Sequence, residues 1–480
     1  IGDAQRIKTP FHDEIKIIYA DWTASGRMYS KIEERLQAKF LPFVANTHTD
    51  TNDTGSVMTY SYHKAQEIIK KHVNANDKDV LISSNSGMTG VVNKFQRILG
   101  LKLHEKFKDR IELNKEERPV VFITHMEHHS NQTSWIETIS DVEIVAPDEN
   151  GLVCLKNFEE AIKKHEGRQL IAAITSCSNV TGIITPFMDI AALMHDYNGL
   201  CFVDFACSAP YVEINMHVED ESGKYLDAIY FSPHKFLGGP GTSGILVFNQ
   251  KLYKNTIPDH PGGGTVDWTN PWGQHKYMDS IESREDGGTP PFLQTLKAAM
   301  CMQLKDEMGV KNIIEREKEI LSIVWEKLKE NNKIHVLAEN EKSRLGILSF
   351  YIDGLHYNLG VKMLNDKFGI QTRGGCSCAG TYGHYLLNVT PEVSNNITFQ
   401  INDGNCSLKP GWIRMSFHPT HTDEEIHYLI DAIIALSENY QEWATNYDLD
   451  LVKGSIKPKN LESSRALKEK IDHCFQESLV

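Results

Sequence analysis

From about residue 78 the chain alternates short, almost wholly apolar runs with longer stretches whose apolar positions recur every three or four residues. The runs at 80–82, 120–123, 142–145, 170–174 and 201–203 read as buried strands, and 227–231 and 245–248 continue the series. Behind the first run, Val91, Val92, Phe95, Ile98 and Leu99 share one face of a helix. This alternation predicts an α/β fold, with βαβ units and a mostly parallel sheet covered on both faces. From about residue 291 the pattern changes. A long helical region carries Met300, Leu304 and Ile313 to Leu328, then come strands at 345–352, 370–373 and 412–417 and a helix over 423–436. The expected organisation is a large domain over 31–290 and a smaller α+β domain over 291–480. Residues 1–30, with a strand at 15–20, are expected to pack against the smaller one. The tail from Lys457 reads as a solvated helix.

Composition narrows the partners. A formal net charge of -14, with no Lys/Arg block, argues against nucleic acid and against an anionic membrane surface. No apolar run is long enough to span a membrane. The opening residues Ile1-Gly-Asp-Ala-Gln-Arg6 do not read as a signal peptide, and the missing initiator Met leaves a removed targeting segment open. The 9 cysteines are an odd number and mostly sit in apolar runs such as Leu200-Cys201-Phe202, which suits reduced thiols in a cytoplasmic protein. Cys376 and Cys378, set among glycines, are the exception.

One segment carries a specific chemical demand. Ser232-Pro-His234-Lys235-Phe-Leu-Gly-Gly-Pro-Gly241 joins two apolar runs, so a lysine sits between strands beside a hydroxyl, a histidine and a glycine-rich turn. A Schiff base with pyridoxal phosphate asks for this set: a desolvated amine and a nearby phosphate cradle. The plain alternative is a lysine on a solvated hairpin. Five further segments follow strand candidates, where open α/β sheets place ligands. Ser83–Gly90 offers amides and hydroxyls to a phosphate at a helix N-terminus. The stretch 124–131 places His128 where an imidazole would stack on a pyridine ring. A zinc site is the rival reading there, but neither H-E-x-x-H nor H-x-x-E-H is present, and no metal is expected. Asn179 would bond the cofactor's phenolic oxygen. Asp204, after three apolar residues, needs a partner such as a pyridinium nitrogen. Pro261-Gly-Gly-Gly-Thr265 offers amides and a hydroxyl to a phosphate, across a dimer interface.

The joint order of Gly-rich turn, His, Asn, Asp and Ser-x-His-Lys resembles the class V aminotransferase family, and within it the cysteine desulfurases and selenocysteine lyases. The resemblance runs from about Tyr19 to about Asp431. It implies a fold-type I architecture, a homodimer with active sites at the interface, and covalent pyridoxal 5'-phosphate on Lys235. By the same resemblance Gly87, Met88, Thr89, Ser232 and His234 hold the phosphate, and His128 stacks on the ring. Asn179 meets the phenolate, Asp204 meets the pyridinium, and Thr265 comes from the neighbouring subunit. Cys207 departs from the pattern, which usually has Gln or His there, so its hydrogen bond to the cofactor is expected to be weak or missing.

In the smaller domain, Arg414 lies in the apolar strand of Pro410–Phe417 and needs an anion, either a substrate carboxylate or a structural partner. Thr372-Arg373-Gly-Gly-Cys376-Ser-Cys378-Ala379 reads as a strand running into a flexible loop. Its R-x-G-x-x-C-A arrangement resembles the cysteine desulfurase signature, which makes Cys378 the persulfide-forming nucleophile and Arg373 a second substrate-side cation. Cys376 matches no such position. The implied reaction converts L-cysteine to L-alanine, with sulfur passed to Cys378 and onward to an acceptor protein. The alternative is a class V aminotransferase, or a related lyase or epimerase, in which Cys378 has no role. The stretch 381–411 is longer than the family's usual connection and is expected to cover the site's mouth.

Overall fold

The computed structural model describes residues 1–108, 110–218, 223–459 and 462–478. The chain divides into two compact units. The first comprises 23–178 and 183–314, with Ile1, and the second 2–22, 179–182 and 315–480. Where the sequence pattern places the change at 290/291, the units part at 314/315. The reason is the helix Phe292–Met308, which buries Leu296, Ala298, Met300 and Met302 in the core of the first unit.

Seven strands form the sheet of the first unit: β1 (Asp79–Ser84), β2 (Val120–Thr124), β3 (Asp141–Val145), β4 (Leu170–Thr175), β5 (Leu200–Asp204), β6 (Ala228–Phe231) and β7 (Gly244–Asn249). Their spatial order is β1-β7-β6-β5-β4-β2-β3. Only β7 runs against its neighbours β1 and β6, and the pairs β2–β3, β2–β4, β4–β5 and β5–β6 are parallel. The mostly parallel sheet expected from the apolar runs is therefore present.

Because successive side chains point to opposite faces, each run feeds two cores. Phe122, Ala172, Val203 and Ile229 enter one, beside the helices α1 (Asp53–His72), Leu155–Lys163, Phe187–Asp196 and Phe292–Met308. Val121, Ala173, Phe202 and Tyr230 enter the other, beside α2 (Gly87–Ile98) and α3 (His129–Ile136). Burial on both faces explains why these strands read as continuous rather than alternating apolar runs.

The second unit holds an antiparallel sheet of β8 (Ile334–Val336), β9 (Ile347–Ile352), β10 (Arg373–Gly375) and β11 (Trp412–Ser416), in the order β8-β9-β11-β10. Its core is filled by Leu348, Phe350, Ile413 and Met415 and by Ile426, Ile430 and Ile433 of the helix Asp423–Ala444. Thr422 and Glu425 close that helix's N-terminus as a capping box. The expected strand at 370–373 is two pieces. Ile370–Gln371 pairs in parallel with Ile18–Tyr19, while β10 turns to pair with β11. The stretch 381–411 carries two helices, Gly380–Leu386 and Pro391–Asn402. Among the described residues, no helix is long and apolar enough to cross a membrane.

Candidate active site

Sequence-expected residues of the first unit gather at the ends of β1, β2, β5 and β6. Lys235 ends a single 3-10 turn, Pro233–Lys235, directly after β6, with its N–H on Ser232 O at 3.1 Å. Two close approaches fix this turn. Gly26 donates to His234 O at 2.9 Å, and a Cβ at Gly26 would stand 1.9 Å from Phe236 O, so no other residue fits there. Ser232 Oγ accepts from the N–H of Met88 at 2.8 Å, which joins the Lys235 loop to the first turn of α2. Gly87, at φ +60, lets the chain enter that helix. Thr89 Oγ1 lies 2.7 Å from Ser130 Oγ in the first turn of α3. His128 caps α3, its Nδ1 accepting from the N–H of Ser130 at 3.1 Å.

Asp204 stands at the C-terminal end of β5, 3% exposed. Burial raises its carboxyl to about 6, against the pull of the Ala206 N–H at 2.8 Å and of the Lys235 charge. Burial and, next, the Lys235 charge push His234 down to about 4. Cys207 is buried in the turn after Asp204, with Sγ 3.7 Å from Ser178 O. Thr265 is buried, and its hydroxyl bonds the backbone of Gly262.

The remaining candidates lie in the second unit. Arg414, 2% exposed, donates from Nη2 to Asp21 at 2.8 Å and from Nη1 to Asn179 O at 3.0 Å. Its Nε is buried without a hydrogen-bond partner. Arg373, exposed, is the register partner of Arg414 across β10 and β11, so two cations share one face of the sheet. Like charges so placed repel, and an anion offsets the repulsion.

Asn179 donates from Nδ2 to Ser377 O at 2.7 Å, while its Oδ1 is buried and unpaired. The Cys376–Ala379 turn closes through Ala379 N–H to Cys376 O at 3.0 Å, and both central residues are left-handed, Ser377 at φ 51 and Cys378 at φ 58. Two successive non-glycine residues in this region cost about 1 kcal/mol or more each, and such strain gathers at functional loops. Cys376 and Cys378 are both half-buried thiols.

Three residues escaped the sequence reading. Asp21 follows the short strand Ile18–Tyr19 and pairs with the buried Arg414, 393 positions away. Glu127 and Asn131 flank His128 and are fully buried. Their signal was an acidic side chain and an amide inside an otherwise histidine-rich turn, which spacing alone does not distinguish from a solvated face.

The donor set of the first unit suits a pyridine ring bearing a phosphate. A buried carboxyl offers a counter-charge to a ring nitrogen, a lysine lies within electrostatic reach of it, and a helix N-terminus shares a hydroxyl with the lysine's own loop.

The aminotransferase class-V family description matches residues 18–429. A probable cysteine desulfurase of Halalkalibacterium halodurans is 25% identical over 367 residues, covering 76% of this chain and 84% of that protein. One from Staphylococcus aureus is 24% identical over 425 residues, covering 87% and 91%. Among solved structures, a cysteine desulfurase from Thermococcus onnurineus superposes with TM-score 0.72 at 22% identity, covering 88% of this chain and 95% of that one. The Escherichia coli cysteine desulfurase CsdA gives 0.67 at 20%, covering 88% and 94%. The shared fold is that of these enzymes.

Proposed function

The chain belongs to the class-V aminotransferase family, and from that premise we propose that it is a pyridoxal-phosphate-dependent cysteine desulfurase, releasing L-alanine from L-cysteine. The observation that carries the reading is the strained Cys376–Ala379 turn, which presents Cys378 directly after the strand that pairs Arg373 with Arg414. An aminotransferase has no use for a thiol held there.

Bound to Lys235, pyridoxal phosphate supplies the electron sink that loosens the bonds at the substrate's Cα. The chain does the rest. Ser232, whose hydroxyl takes the Met88 N–H, and the first turn of α2 would hold the phosphate, His128 would hold the ring, and Asp204 would neutralise the ring nitrogen's charge. Arg414 binds the substrate carboxylate, with the unpaired Nε as the donor in reserve. Lys235 Nζ moves the Cα proton. Cys378 Sγ, as thiolate, takes the substrate's sulfur, so that its S–S bond forms as the substrate's C–S bond breaks, and the three-carbon remainder is protonated to alanine. A thiol-bearing acceptor then removes the sulfur.

The test is an absorbance spectrum of the purified protein before and after L-cysteine, with sulfide and alanine assayed in parallel. The wild type should take up the cofactor and make both products. Cys378→Ala should take up cofactor equally well and lose turnover by about 100-fold or more, the scale of a removed nucleophile. Undiminished turnover in Cys378→Ala would transfer the reading to the lyase or aminotransferase alternative.

A further inference from the structure

Glu127 is a fully buried acid, within reach of the Asp204 charge, that the proposed chemistry does not use. Its Oε1 accepts from Thr124 Oγ1 at 2.6 Å, from the N–H of Thr124 at 3.2 Å and from the N–H of Thr175 at 2.9 Å. Its Oε2 accepts from Asn131 Nδ2 at 2.7 Å. Asn131 in turn donates to Ala173 O at 2.9 Å and accepts on Oδ1 from Tyr230 at 2.8 Å and from Trp135 Nε1 at 3.1 Å.

These partners are not scattered. Thr124 ends β2, Thr175 ends β4, and Tyr230 lies in β6. Thr175 and Tyr230 are the register partners of Asp204 on either side of β5. Residues in register share a sheet face, so the carboxylate reaches one neighbour of Asp204 directly and the other through Asn131. The next residue in the chain is His128.

We propose that Glu127 is a positioning residue: it latches the turn bearing His128 to the strands that flank Asp204, so that the imidazole and the carboxyl keep a fixed relation. The proposal rests on the cofactor reading above for its purpose, though the latch itself does not. Four donors on one fully buried carboxyl make an arrangement that a neutral isostere cannot copy. In Glu127→Gln the amide oxygen inherits Thr124 and Thr175, but the new NH2 faces the NH2 of Asn131. Asn131 cannot turn over, because its oxygen already serves Tyr230 and Trp135. Asn131→Asp, in the same chain, replaces that donor by an acceptor and restores the contact to residue 127, at the loss of the bond to Ala173 O.

Two measurements decide it, on Glu127→Gln, Glu127→Ala and the double variant Glu127→Gln/Asn131→Asp. The first is hydrogen exchange of segment 124–131 in the cofactor-free protein. The second is the equilibrium dissociation constant for pyridoxal phosphate, with the circular dichroism of its bound band, which reports how the ring is held. Exchange should be about tenfold faster in both single variants, binding about tenfold weaker with altered dichroism, and the double variant should recover part of both, short of the wild type by the lost bond to Ala173 O. Unchanged exchange overturns the latch. Faster exchange with unchanged cofactor affinity and dichroism overturns the positioning role and leaves Glu127 as core structure. A wild type that takes no cofactor at all sinks the proposed function, and the exchange result then decides the latch by itself.

Discussion

The Asp204 region of the first unit and the Cys378 region of the second satisfy their polar groups in opposite ways. Around Asp204 the partners are strand ends of one sheet: Thr124, Thr175 and Tyr230 serve Glu127 and Asn131, and every one of those five side chains has a bonding partner. Around Cys378 the partners come from remote segments, and the bonding is incomplete. Arg414 Nε, Asn179 Oδ1 and Ser377 Oγ are all buried and unpaired. Buried polar atoms without partners are costly, so a cluster of them marks a place where a ligand's own polar groups complete the structure. On the proposed reading, the first region holds the cofactor still and the second receives the substrate.

The largest effect that would break this contrast lies at Asp21. Its carboxylate is the counter-charge of a guanidinium only 2% exposed. Asp21→Asn leaves that cation buried and uncompensated, which should cost about 3 kcal/mol, measured as a loss in urea unfolding free energy. A loss below about 1 kcal/mol would mean that Arg414 finds another anion, and that the second region is less open than its unpaired atoms indicate. On the proposed function, saturating L-cysteine should recover part of the loss, because its carboxylate would meet the same guanidinium.

Asp21 also shows where sequence reading ends. The seven strands and the Lys235 loop were legible because each is written locally: an apolar run for a strand buried on both faces, and a lysine set between two of them. The Arg414–Asp21 pair and the Asn179–Ser377 bond join residues hundreds of positions apart, and no periodicity encodes them. The split of 370–373 was hidden for a related reason. Ile370–Gln371 takes its partner from the N-terminal segment and β10 takes its own from β11, so two pairings compete for one apolar stretch. The helix Phe292–Met308 was legible as a helix but not by allegiance, since its apolar face fits either core.

A smaller effect sharpens the account of the Cys378 turn. If its left-handed backbone is the strained element, branching at 377 should cost stability. Ser377→Val and Ser377→Gly both remove the unpaired hydroxyl, so the branching is read from the difference between them. The valine variant should be less stable than the glycine variant by about 1–2 kcal/mol, because a β-branched residue is disfavoured there. Equal stability of the valine and glycine variants would remove strain from the account. The bond from Asn179 to the carbonyl of residue 377 survives in both, so neither outcome is confounded by its loss.

The smallest effect returns to the first region, where the Glu127–Asn131 network is fully bonded but the charge is not neutral to pH. Burial and then the Lys235 charge lower His234 from 6.5 to about 4. A histidine depressed in the folded state is held neutral there, whereas the unfolded chain protonates it below 6.5. Its contribution is therefore fully present above pH 6.5 and is lost as pH falls from 6.5 towards 4. Glutamine does not titrate, so His234→Gln should gain on the wild type by about 1 kcal/mol between pH 6.5 and 5, after a discount for the ring's partial exposure. The measurement is the difference between the two proteins' urea midpoints at each pH, taken without cofactor, so that other groups titrating in that range cancel. A difference that stays level over that range would mean that the ring titrates in the fold as it does in the unfolded chain, so that neither its burial nor the Lys235 charge holds it neutral.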